Sequence, residues 1–158
     1  MWPLFLDRSV TLHRRVRGSV FEVRGIFSDV ESFVRLNPFA IRVEQDPENE
    51  QHYRITDRLP RLNRLWEYEN TMEATFKPKE DEGGQGMDVT VTLPQRLVFP
   101  KLESHYRVKD ANEAGVVEVS EVVELRVFCL LVPYILSNLT KAHRKVLDRL
   151  VDVVEGRN

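Results

Sequence analysis

The spacing of apolar residues along this chain changes period three times, and each change predicts a different element. From Ser9 to Arg17, Val10, Leu12, Arg14 and Val16 alternate with Ser9, Thr11, His13 and Arg15, the two-residue period of a strand. Across SVFEVRGIFSDVESFVRLNP the apolar positions take helical spacing, interrupted at Gly25, with Ser28 or Asp29 able to cap a restart. Two short helices ending before Pro38 are predicted there. Alternation then returns in FAIRVEQD, QHYRITDRL, LWEYENTMEATFKPK, MDVTVTLPQRLVF, LESHYRVKD and VVEVSEVVELRVF. PENE, Pro60 with RLNR, and EDEGGQG supply the first connections, while Pro94 and Pro100 mark a bulge or edge and a turn. After Cys129 the period is helical to the end, with Pro133 tolerated in the first turn. On that helix Ile135, Leu136, Leu139, Ala142, Val146, Leu150 and Val153 share one face, and Lys141, Arg144, Lys145, Asp148 and Asp152 share the other.

The order is thus a strand, two short helices, about six strands in a meander and one long amphipathic helix. Such a helix buries its apolar face only against the sheet, and a strongly twisted antiparallel sheet of about seven strands curls around it. The expected class is α+β, with residues 1–158 forming one domain and space left between helix and sheet.

Composition narrows the function. Lys and Arg total 23 against 25 Asp and Glu, a formal charge of -2, and the basic residues are spread, so a nucleic-acid partner is not expected. No run approaches a membrane span, and MWPLFLDRSV lacks the basic start, apolar length and cleavage pattern of a signal peptide. The lone Cys129 offers no disulfide framework, which suits a reducing, cytoplasmic setting. The sequon Asn138-Leu139-Thr140 lies inside the predicted helix and reads as chance.

Several polar residues interrupt otherwise apolar faces. Glu121 is in phase with Val117, Val119, Val123, Leu125 and Val127; Asn70 with Trp66, Tyr68, Met72 and Phe76; Asp57 with Tyr53, Ile55 and Leu59; Tyr106 with Leu102 and Val108. His143 falls within the apolar stripe of the last helix, where a buried imidazole requires a polar partner. Glu121 is either a structural or cavity-mouth carboxylate, paired with an arginine such as Arg14 or Arg58, or a desolvated group that exchanges a proton with a substrate. His143 is a satisfied core histidine or a ligand-facing one. Asp57 is a strand-end turn cap or a third ionisable participant. Counting Glu121 about 23 Å back from the end of its strand and His143 about 17 Å along its helix, across about 10 Å of separation, predicts a pair flanking a cavity rather than a touching dyad.

The element order, Asn37-Pro38 after the helical pair, Asp57 closing YRITD, the glutamate of EVSEVVEL and the final AHRKVLDRLV resemble the helix-grip proteins of the START, birch-allergen and polyketide-cyclase superfamily. A mainly fungal branch with similar YRxTD, LW and EEV segments is closest in pattern. Here SEVV replaces the expected EEV, so only Glu121 carries across. The resemblance spans the whole chain and implies the fold. Relatives bind sterols, lipids, plant hormones or quinones in a cavity, and some are cyclases, aromatases or hydration-type enzymes, so it fixes no single chemistry.

Other chemistries lack their residues. His13, His52, His105 and His143 have no metal-ligand spacing, and the first three lie on strand phases opposite the apolar one. Cys129 has no adjacent basic group, the glycines of EDEGGQG precede no helix, and neither a Gly-x-Ser-x-Gly motif nor a dinucleotide glycine pattern occurs. The expectation is a cofactor-free, metal-free protein that binds a hydrophobic, oxygen-bearing molecule of polyketide or terpenoid type and promotes its cyclisation, isomerisation or dehydration in secondary metabolism. Glu121 and His143 would exchange protons, and Asn70 and Tyr106 would orient oxygens. Trp66, Tyr68, Met72, Phe76, Val119, Val123, Leu139 and Val146 would shape the enclosure. A non-catalytic lipid, sterol or quinone carrier is the alternative, and a filled core with no cavity is a third reading. The oligomeric state stays open.

Overall fold

A computed structural model describes residues 4–60, 67–97 and 99–157. The elements run β1 (Phe5–Arg17), α1 (Val20–Ser28), α2 (Val30–Val34), β2 (Ala40–Asp46), β3 (Asn49–Pro60), β4 (Glu67–Asp81), β5 (Gly84–Thr92), β6 (Lys101–Asp110), β7 (Val116–Phe128) and α3 (Val132–Val154). A single 3-10 turn, Cys129–Leu131, links β7 to α3. The seven strands form one antiparallel sheet in the order β1-β7-β6-β5-β4-β3-β2. Strands β2 to β7 are therefore a plain meander, and β1 closes against the last strand of it. Its register with β7 runs unbroken from Phe5 opposite Phe128 to Arg17 opposite Val116. That pairing explains why β1 begins at Phe5, earlier than its alternation suggested: the long partner supplies hydrogen bonds to residues whose side chains carry no clear period.

Two local features fix the geometry of the connections. A Cβ on Gly86 would lie 1.9 Å from the Tyr106 carbonyl oxygen, so β5 can pass β6 here only as glycine. At the start of α1, Ser19 and Glu22 form a reciprocal cap: the Glu22 amide donates to Ser19 Oγ at 3.2 Å, and the Ser19 amide donates to Glu22 Oε2 at 2.7 Å. The donated hydrogen bonds from Ser19, backbone first, hold the Glu22 carboxyl below its usual range. Ser19→Ala is expected to cost about 1 kcal/mol in urea unfolding. Gly25 does not break this helix; the break falls at Asp29, which accepts from the Ser32 amide at 3.1 Å and starts α2.

Helix α3 packs on β1 and α1. Arg14 Nε donates to Asp148 Oδ1 at 2.6 Å, and the Arg17 amide donates to Glu155 Oε1 at 2.9 Å. The docked face is offset by about one residue from the predicted stripe. Leu147 is fully buried beside Val146 and Leu150, while Val153 is 52% exposed and Val151 and Val154 turn toward the core instead. Side chains four apart, such as His143 and Leu147, lie only about 40° apart on the wheel, so the seam follows His143, Leu147 and Leu150. Nearer the start of α3, Ile135, Leu136, Leu139 and Ala142 are only half-buried. The fully buried positions of α3 are therefore confined to its second half.

Candidate functional site

Strand β7 carries the alternation that the sequence shows: Val117, Val119, Glu121, Val123, Leu125 and Val127 are all buried. Glu121 is fully enclosed, with Leu12 opposite it on β1 and Tyr106 opposite it on β6. Its partner is His143. The imidazole Nδ1 and Glu121 Oε1 are in direct hydrogen-bond contact, so the two residues touch and do not flank a gap. Counting depths along strand and helix misleads here because it treats the sheet-to-helix interval as space to be filled by ligand. A two-methylene carboxylate reaching up and an imidazole reaching down span that interval of about 10 Å themselves. Neither arginine proposed for Glu121 is its partner: Arg14 pairs with Asp148 and Arg58 with Glu69.

The contact uses Nδ1, so the imidazole nitrogen left over is Nε2. His143 keeps 20% of its side chain exposed against none for Glu121, which places the ring at the edge of the core, ahead of the buried Val146 and Leu147. Among the described residues, Glu121 Oε2 has no hydrogen-bond donor. Beside it, Tyr106 is buried, and burial first, then the neighbouring Glu121 charge, pushes its phenol well above the usual range. Tyr106 therefore stays a hydroxyl, with its ring edge-on to Phe33 at 5.0 Å and tilted against Phe27 at 5.9 Å.

Asp57 and Asn70 form a second polar cluster, directly opposite each other across β3 and β4. Asp57 lies within β3, which continues to Pro60, so it does not cap a turn at the end of a strand. Asn37 sits between the chain and this carboxylate: its Nδ2 donates to Asp57 Oδ2 at 3.2 Å, and its Oδ1 accepts from the Phe39 amide at 3.1 Å. Burial outweighs that single bond and pushes the Asp57 carboxyl up to about 6, while Oδ1 has no partner among the described residues. Asn70 Oδ1 accepts from Gln95 Nε2 at 3.1 Å. The rung through Glu121 and Tyr106 continues to Met87 and meets β4 at Pro78, not at Asn70. The structure thus joins Glu121, His143 and Tyr106 and leaves Asp57 and Asn70 as a separate pair.

Of the expected wall residues, Val119, Val123, Val146 and Phe76 are buried, and Met72 and Leu139 are half-buried. Trp66 and the side chain of Tyr68 lie outside the described residues. Phe76 meets Tyr53 and Phe33 edge-on at 5.4 and 6.4 Å. With Phe27, Tyr53 and Met87 it lines a cleft of about 420 Å³ between the short helices and the sheet. Two of its lining residues also neighbour Tyr106, Phe27 by ring contact and Met87 across the β5–β6 register.

Sequence reasoning missed one cluster. Glu103, His105 and Glu124, all half-buried, gather donor atoms within 4.8 Å of one another. The spacing of Glu103 and His105 places them on one strand face, but Glu124 joins them only through the β6–β7 register.

No protein-family model matches the chain. No curated protein matches it either. Solved structures match over almost its full length. A point mutant of norcoclaurine synthase from Thalictrum flavum, in complex with a transition-state analogue, superposes with a TM-score of 0.69 at 12% identity, covering 96% of each chain. The Zhui aromatase/cyclase from Streptomyces sp. R1128 gives 0.65 at 12% identity, covering 93% of this chain and 95% of that one. A START superfamily protein from Mycobacterium smegmatis gives 0.61 at 13% identity, covering 91% and 97%. The chain has the helix-grip fold that these proteins share. Among the described residues no helix is long and apolar enough to cross a membrane.

Proposed function

We propose that this protein binds a hydrophobic, oxygen-bearing molecule of polyketide or terpenoid type between the first half of α3 and the sheet. There it promotes cyclisation, isomerisation or dehydration by proton transfer. The observation that carries the reading is the buried Glu121–His143 pair, with Nε2 of His143 left over at the edge of the core. In this reading His143 exchanges the proton with substrate through Nε2. Glu121 is a positioning residue that fixes the ring and balances the imidazolium, and Tyr106 is a neutral phenol beside the carboxylate. The half-buried Ile135, Leu136, Leu139 and Met72 offer apolar surface for a ligand to cover. Asp57 and Asn70 are assigned to holding β3 and β4 against the Asn37 turn, since their side chains already engage Asn37 and Gln95.

That same engagement favours a second reading, a lipid, sterol or quinone carrier. It leaves His143 as the main polar contact for a ligand head group, and a carrier needs no more. Native mass spectrometry after incubation with a hydrophobic extract of the source cells separates the two. His143→Asn retains a donor near the place of Nδ1 but has no atom in the place of Nε2. Under the catalytic reading wild type returns a chemically altered ligand, seen as a lost water for dehydration or as a shifted chromatographic retention at equal mass for cyclisation or isomerisation, and His143→Asn retains the ligand with conversion slowed about 10²–10⁴-fold. A ligand retained unchanged by both proteins makes the chain a carrier.

A further inference from the structure

The outer face of the sheet, turned away from the Glu121–His143 pair, carries the half-buried group of Glu103, His105 and Glu124. Glu103 and Glu124 are directly opposite across β6 and β7, an arrangement of like charges that is unfavourable unless a cation answers it. Lys101 answers part of it, with Nζ 3.1 Å from Glu103 Oε2 and 3.3 Å from Glu124 Oε2. Both of these ion pairs use Oε2, so neither engages Oε1.

The histidine is arranged from behind. Its Nδ1 lies 2.9 Å from Asp88 Oδ1, and Asp88 is held in turn by Arg107 Nη2 at 2.8 Å. Arg107 is itself 8% exposed and anchored by Asp81 at 2.6 Å and by the Tyr106 carbonyl at 2.7 Å. Asp88 Oδ1 thus faces both His105 Nδ1 and the Arg107 guanidinium. With Nδ1 turned to Asp88, the ring nitrogen left for an ion is Nε2, the arrangement in which a second carboxylate orients a metal-binding histidine.

We propose that Glu103, His105 and Glu124 form a binding site for a divalent first-row transition ion such as Zn2+, with two carboxylate oxygens and one imidazole nitrogen as protein ligands. One nitrogen with two oxygens suits Zn2+, Co2+ or Mn2+ better than Ca2+ or Mg2+, which take oxygen sets. Three protein ligands leave the remaining positions to water. The bound ion would clasp β6 to β7 one residue from the Tyr106–Glu121 rung, on the opposite face. This site is independent of the proposed proton transfer and stands or falls without it.

The test is calorimetric titration of Zn2+ into chelator-treated full-length protein, repeated with Co2+ to read its visible absorption. Wild type is expected to saturate at one ion per chain. His105→Ala and Glu124→Gln should each weaken binding by at least about tenfold. Lys101→Met, which removes the competing ammonium, should tighten it. Circular dichroism of each variant checks that the sheet is intact. A titration that fails to saturate below about 1 mM overturns the site. So does binding that His105→Ala leaves unchanged, which would place the ion on another histidine such as His13, His52 or His143.

Discussion

Replacing His143 with alanine is expected to destabilise the protein by about 3–5 kcal/mol, the usual consequence of leaving one member of a buried ion pair without its partner. Glu121 has no exposure to water, Oε2 already has no hydrogen-bond donor among the described residues, and the substitution would free Oε1 as well. Its other neighbours are the apolar Leu12 and the phenol Tyr106. Because the loss belongs to the abandoned carboxylate, it shrinks when the carboxylate is removed too. Glu121→Leu combined with His143→Leu should recover most of it, since an apolar pair carries no desolvation cost. Urea unfolding of Glu121→Leu, His143→Leu and the double variant closes a cycle whose coupling is expected to exceed about 2 kcal/mol. A coupling near zero would mean that the contact holds neither residue. Full recovery in the double variant would mean that the pair is dispensable to the fold, and that its reason for being there is chemical.

Asp57→Asn should raise stability at neutral pH and do almost nothing in acid. The carboxyl ionises at about 6 in the folded chain against an ordinary 3.8, so the folded state holds this proton more tightly than the unfolded one. Its contribution therefore favours folding at low pH and declines as pH rises from about 4 to about 6, above which the deficit is complete. A carboxyl raised that far disfavours its own charged form by about 3 kcal/mol. Asparagine keeps an oxygen for the Asn37 amide and never ionises, so the advantage of the variant should grow by about that amount between pH 4 and pH 7.5. Chemical denaturation at the two pH values measures it. An advantage that is the same at both would show that the Asp57 charge is well solvated, contrary to its burial.

Much of the fold was legible because period-2 and period-3.6 patterns are local properties of the chain. Glu121 could be placed inside from five valines and leucines in phase with it, and Tyr106 and Asn70 likewise. What lay beyond reach was pairing. The meeting of His143 with Glu121 depends on how closely α3 docks, and that is set by Arg14, Asp148 and Leu147, whose roles no periodicity announces. Leu147 was missed and Val153 wrongly included because an ideal wheel does not know where the docked seam begins. Asp57 was assigned to a strand end because nothing in YRITDRLP marks where β3 stops. The metal-ligating group was invisible for a related reason, since two of its members are two residues apart and the third belongs to the next strand.

The closing of β1 against β7 also dictates an order of events during synthesis. Every sheet hydrogen bond of residues 5–17 is made with residues 116–128, so the first strand emerges from the ribosome with no neighbour. Each strand from β2 to β6 pairs with the one that follows it in sequence and can do so as it appears. The opening segment must stay unpaired until about a hundred more residues have followed, a loop whose closure entropy falls due late. For that interval VTLHRRVR is an exposed β-forming stretch, and its arginines at 14, 15 and 17 are the charges that discourage it from pairing with another nascent copy.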